Sequence, residues 1–197
     1  MVRRMKSELE LRWDGSRRFA KRCVKHLEVP YTDAERRGHQ ALQEYARLRV
    51  SSAATEGQRF ATEFVLKLLK KRLFSSPAAF ATTLEKHARS VAATQGVSAG
   101  TSWQRQLDDA DNDSGDDEEN ENNSLEALET ASRQVAALAV EEKALLTELR
   151  GFATDAATRA DSKARTLIQW LKKMLKPDGQ WSNHRVILFT EYRAPQE

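Results

Sequence analysis

The residues of this 197-residue chain that chemistry could use are four histidines, one cysteine, two adjacent serines and a run of cations. No two of His26, His39, His87 and His184 stand four apart, and none stands four from Cys23, so the paired ligands of a helical metal site are not offered. The histidines read as surface or half-buried groups. Cys23 is the single cysteine, which excludes an internal disulfide and a thiolate metal cluster and leaves a small half-buried side chain. Ser75 and Ser76 have no base beside them, and Pro77 makes Ser76 a helix cap rather than a nucleophile. Lys70, Lys71 and Arg72 are different in kind: three consecutive cations can neutralise backbone phosphates without reading a base. The competing reading is the charged helix face of any soluble protein. Trp13, Trp103, Trp170 and Trp181 are too dispersed for a base-stacking platform. Trp170, beside Leu167 and Leu171, reads as core, and Trp103 as exposed.

The composition frames the elements that must position these groups. Hydrophobic residues make up 40%, charged residues 31% and aromatic residues 7%, a mixture that suits amphipathic helices better than a β-sandwich. The expected fold class is mainly α. No apolar run approaches the roughly 20 residues that span a bilayer, and the basic start is followed by charges, so a cytoplasmic, soluble protein is expected. The net charge of +3 hides segregation: residues 1–105 carry 21 Lys/Arg against 10 Asp/Glu, whereas residues 106–130 carry 11 acidic residues and no basic one. A basic surface suited to phosphates, tethered to an acidic loop that competes for it, would have this pattern.

Residues 1–30 mix charges with single apolar positions, and Gly15 and Pro30 punctuate them, so short extended segments or strands are expected. Thr32-Asp33-Ala34-Glu35 spells a capping box, after which Leu42, Tyr45, Leu48 and Arg49 fall at helical spacing up to Ser51-Ser52. Phe60, Phe64 and Leu68, with Val65, Leu69 and Leu73, build the next apolar face. Ser76-Pro77 restarts a helix through Ala81, Leu84, Ala88 and Val91, so 31–95 reads as a region with a helical hairpin on a very short connection. From Gly96 to Asn123 the period is lost, and a disordered acidic loop is expected. Ser124 should cap a long helix whose stripe runs Leu128, Ala131, Val135, Leu138, Leu145 and Leu149, with Glu142 on the stripe and Gly151 as a break. Asp161 should cap a further helix from Ser162 to about Leu175, within long helices over 124–176. After the Pro177-Asp178-Gly179 turn, Arg185 to Thr190 reads as one buried β-strand. Such a strand needs neighbours, so 177–197 reads as an incomplete α/β unit.

The stretch Phe64-Val65-Leu66-Lys67-Leu68-Leu69-Lys70-Lys71-Arg72-Leu73-Phe74-Ser75-Ser76-Pro77-Ala78-Ala79-Phe80 resembles one found in bacterial Swi/Snf-like helicases, most closely the helicase of the DISARM antiphage system. Arg3-Arg4-Met5-Lys6 resembles the end of the first RecA-like lobe of such enzymes, and Val186 to Arg193 the opening strand of the second lobe with helicase motif IV. The resemblance implies a helical connector between two RecA-like lobes of a superfamily-two DNA helicase: 1–30 the tail of the first lobe, 177–197 the truncated start of the second. It implies DNA contacts through Thr190 and Arg193 besides Lys70, Lys71 and Arg72. It also implies ATP and magnesium as cofactors of the intact parent. The implied partners are DNA, the missing lobes and other proteins of a defence system, with no membrane. Pro195 departs from the family, which continues there into a helix. The chain spells no Gly-x-x-x-x-Gly-Lys-Ser/Thr loop, and Asp117-Glu118-Glu119-Asn120 matches an Asp-Glu box only inside an acidic run with no strand before it. No cofactor site and no catalysis are therefore expected of this chain alone. The alternative is an autonomous helical nucleic-acid- or protein-binding module.

Overall fold

The computed structural model describes residues 10–17, 19, 23–93 and 117–189. Among them are six α-helices: α1 (Asp33–Ser52), α2 (Glu56–Ser75), α3 (Pro77–Ala93), α4 (Asp117–Gln134), α5 (Val140–Ala157) and α6 (Ser162–Leu175). The mainly α class is observed. Four of these starts carry a side-chain cap, because the first amides of a helix lack intrahelical acceptors. At α1, Glu35 N–H donates to Thr32 Oγ1 at 3.3 Å while Thr32 N–H donates to the Glu35 carboxylate at 2.7 Å, the expected capping box. Thr55, Ser76 and Asp161 accept in the same way from Gln58, Ala79 and Ala164. Ser76 alone separates α2 from α3, the expected short hairpin.

Helices α1 to α5 bury one continuous core. Leu42 and Tyr45 from α1, Val65 and Leu69 from α2, and Phe80 and Leu84 from α3 meet Leu128 and Ala131 from α4 and Leu149 from α5. Helix α3 packs against α2, α4 and α5, and α1 against α2 and α5. Gly38 permits the last contact: a Cβ there would come within 2.6 Å of the Phe152 ring. Helix α6 is different. Of its residues only Ser162 is buried, and it packs mainly on the turn that follows it.

The structure corrects several expectations. The long helix from Ser124 is two helices. It begins at Asp117, so residues 117–123 are helical rather than loop, as the helix propensity of Glu allows; residues 96–116 of the expected loop lie outside the described residues. It breaks at Val135–Ala139, not at Gly151, which sits inside α5. The Ala136 carbonyl that the break releases accepts from distant Arg49 at 2.8 Å, while the Ala139 amide donates at 2.7 Å to Glu142 three residues on, the reach-back of a helix start at α5. No strand occurs among the described residues. Arg185 to Phe189 carry no ladder, with Phe189 91% exposed, and the rest of that expected strand lies outside the described residues. Among its described residues the N-terminal segment holds a turn at Gly15 and no strand, and residues 1–9, 18 and 20–22 of it lie outside the described residues. Cys23 is exposed, and Trp170 is exposed rather than core, because α6 has no second layer over that face.

Candidate nucleic-acid interface

The three cations at the end of α2 divide. Val65, Leu68, Leu69 and Arg72 share the buried face at spacings of three and four, so the helical period turns Arg72 inward, where it is 1% exposed. Lys70 and Lys71 are exposed. A phosphate approaching this end of α2 meets two cations of the run, not three. Thr190 and Arg193 lie outside the described residues.

The bundle adds cations that no sequence pattern had connected to this run. The Glu35 carboxylate joins the start of α1 to the start of α6, accepting from Ser162 N–H at 2.8 Å and Ser162 O–H at 2.6 Å as well as from Thr32. Burial works to raise its pKa, but the hydrogen bonds from Ser162 and Thr32 outweigh it and hold the carboxyl down at about 2. With α6 so fixed, Lys163 Nζ donates to the Phe74 and Ser75 carbonyls, which are orphan acceptors at the end of α2. A cleft of about 190 Å³ opens between these elements, lined by Tyr31, His39 and Phe152 and bordered by Arg159 and Arg165. His39 lies 5.3 Å from the Tyr31 ring and 4.9 Å from that of Phe74. Burial lowers the pKa of its imidazole, against the opposing charge of Glu35.

A second polar constellation is sealed in the core. Tyr45 Oη lies 2.7 Å from His87 Nε2, and His87 Nδ1 lies 2.7 Å from Ser132 Oγ. A serine, a histidine and a tyrosine in line invite a nucleophilic reading. Burial rejects it: all three residues are buried, and the cavity beside Tyr45 and His87 has no room for a water molecule. The chain of hydrogen bonds ties α1, α3 and α4 together. Sequence spacing missed it, since the three residues come from separate helices.

Among the described glycines, Gly15 and Gly179 sit in turns and Gly38, Gly57 and Gly151 in helices. The Asp-Glu spelling at Asp117 opens a helix rather than ending a strand. Among the described residues no three His, Cys, Asp or Glu side chains gather as metal ligands, and no helix is long and apolar enough to cross a membrane. Comparisons with protein-family models, with curated proteins and with solved structures find no match to this chain.

Proposed function

We propose that this chain is the helical connector between the two RecA-like lobes of a Swi/Snf-type DNA translocase of a phage-defence system, contributing DNA contacts but no catalytic group. The observation that carries the reading is the stretch from Phe64 to Phe80, with its likeness to that family and with the flanking stretches at Arg3 and Val186 in the family's order. In the bundle this stretch forms the end of α2, the Ser76 junction and the start of α3, and it presents Lys70 and Lys71 to solvent. A rigid helical corner of this kind suits a part that holds two lobes at a set distance while ATP-driven closure moves DNA past them. ATP and magnesium would be held by the lobes. A cytoplasmic setting goes with such an enzyme.

One observation favours the second reading, an autonomous nucleic-acid- or protein-binding module: α1 to α5 close a core without help from another domain. The two separate in one experiment. The reading frames on either side are sequenced and the chain is expressed with them. The connector reading expects a phosphate-binding loop upstream, an arginine finger downstream, DNA-stimulated ATP hydrolysis by the extended protein, and no ATP binding by residues 1–197 in calorimetry. Flanking frames without a phosphate-binding loop would sink it.

A further inference from the structure

The cleft between α1, α5 and α6 has a chemistry of its own. Two carboxylates line it and both are engaged: Glu35 accepts from Thr32 and Ser162, and one oxygen of Asp161 caps α6 by accepting from Ala164 N–H at 2.7 Å. Lys163 is engaged on the end of α2. The cations left facing the opening are Arg159, which is exposed, and Arg165, one nitrogen of which donates to Ser162 Oγ at 3.1 Å. Guanidinium groups suit a phosphate, whose oxygens match their forked donors. The interior is aromatic, and rings of this kind are surfaces on which a planar base stacks.

Two further features narrow the ligand. A volume of about 190 Å³ is smaller than the ~300–1,000 Å³ of an ordinary small-molecule pocket, so a single ring system fits and an extended ligand does not. The cationic surface also continues beyond the cleft. Lys70 stands one turn before Phe74, the ring against His39, so the two share a face of α2. A free small anion has no use for those outer cations, whereas a strand leaving the cleft does.

We propose that the cleft binds one nucleoside monophosphate unit of a single-stranded nucleic acid. The base lies against Tyr31 and His39, the phosphate is held by Arg159 and Arg165, and Lys70 follows the strand outward. The proposal goes beyond the connector reading, because the cleft is built from this chain alone and serves either reading. A free mononucleotide shares this chemistry, and competition distinguishes the two sources.

The test is fluorescence anisotropy of a labelled oligothymidylate with the full chain at low salt, competed by unlabelled duplex or by thymidine monophosphate. The expected result is binding of the single strand in preference to duplex, weakened about tenfold or more in Arg159→Ala/Arg165→Ala and about fivefold or more in Tyr31→Ala. Tyr31→Phe keeps the ring and should bind like the parent, and unchanged thermal melts of each variant certify the fold. Displacement by thymidine monophosphate only far above the oligonucleotide's dissociation constant identifies a strand; displacement near it identifies a free nucleotide in the same cleft. Equal affinity for single strand and duplex with no response to these variants overturns the proposal. So does loss in the arginine variant with Tyr31→Ala unaffected, or no binding of either probe.

Discussion

Arg49 Nη1 lies 3.1 Å from Glu142 Oε2, and both side chains, 93 residues apart in sequence, are 2% exposed. Ser52 O–H and Ala139 N–H also donate to the carboxylate, and Ala136 O takes a second guanidinium nitrogen, so both charges are solvated by protein in place of water. Removing one charge leaves the other buried and uncompensated. Glu142→Gln is expected to cost about 3–5 kcal/mol in urea unfolding. Replacing both, as Arg49→Met/Glu142→Leu, should cost well under the sum of the single changes. Additive losses would show that the pair does not act as a unit.

Gly38 and Phe152 set how closely α1 approaches α5. Alanine would add helix propensity of up to about 1 kcal/mol, but its Cβ would meet the Phe152 ring at 2.6 Å, and overpacking costs about 1–3 kcal/mol. The clash should win, so Gly38→Ala lowers stability. In a Phe152→Leu background the same substitution should become neutral or stabilising. Thermal melts of the four proteins decide it, and an equal loss in both backgrounds would contradict the packing argument.

His87 makes the fold acid-sensitive. Burial foremost, and the charge of Arg49 second, press its pKa from 6.5 down to about 3. The unfolded chain therefore binds a proton that the folded chain refuses. The stability associated with His87 is complete above pH 6.5, and it falls by about 1.4 kcal/mol per pH unit below that, toward pH 3. Glu35, held at about 2 against an ordinary 4.5, adds a second loss only below that higher value. His39, whose imidazole burial also lowers, adds to the slope in the same window, so urea unfolding at pH 7, 6 and 5 compares parent with variant: His87→Gln should flatten the slope between pH 6.5 and 5, whatever its absolute stability. Parallel curves for parent and variant would refute the assignment.

The division of the cations at the end of α2 predicts two different phenotypes. If α2 contacts DNA, Lys70→Ala/Lys71→Ala should leave stability within about 0.5 kcal/mol and reduce the salt dependence of DNA binding by up to about two counterions. Arg72→Ala removes a buried side chain, and it should lower the unfolding midpoint without a matching change in salt slope. Equal effects of the two variants on binding and on stability would show that the distinction between exposed and buried cations is wrong.

What the sequence determined by itself is whatever lies within a helical turn. Thr32 with Glu35, Ser76 before Pro77, and Asp161 before Ser162 each announce a helix start, because a cap and the amide it satisfies are three residues apart. The inward turn of Arg72 was legible too, from its step with Val65, Leu68 and Leu69, though as one of three neighbouring cations it was read as exposed. Arg49 and Glu142 could each be seen on an apolar stripe, but not that they meet. Only the packing of α1 against α5 makes the pair and brings Arg49 to the Ala136 carbonyl released where α4 ends, whereas the Ala139 amide is met by Glu142 three residues on. His87, expected at the surface or half-buried, is 1% exposed, and its burial, like the cleft beneath Arg159, was illegible for the same reason. Each depends on which helix faces are brought together, and that choice rests on contacts between residues far apart along the chain, whereas caps and periods are set by neighbours.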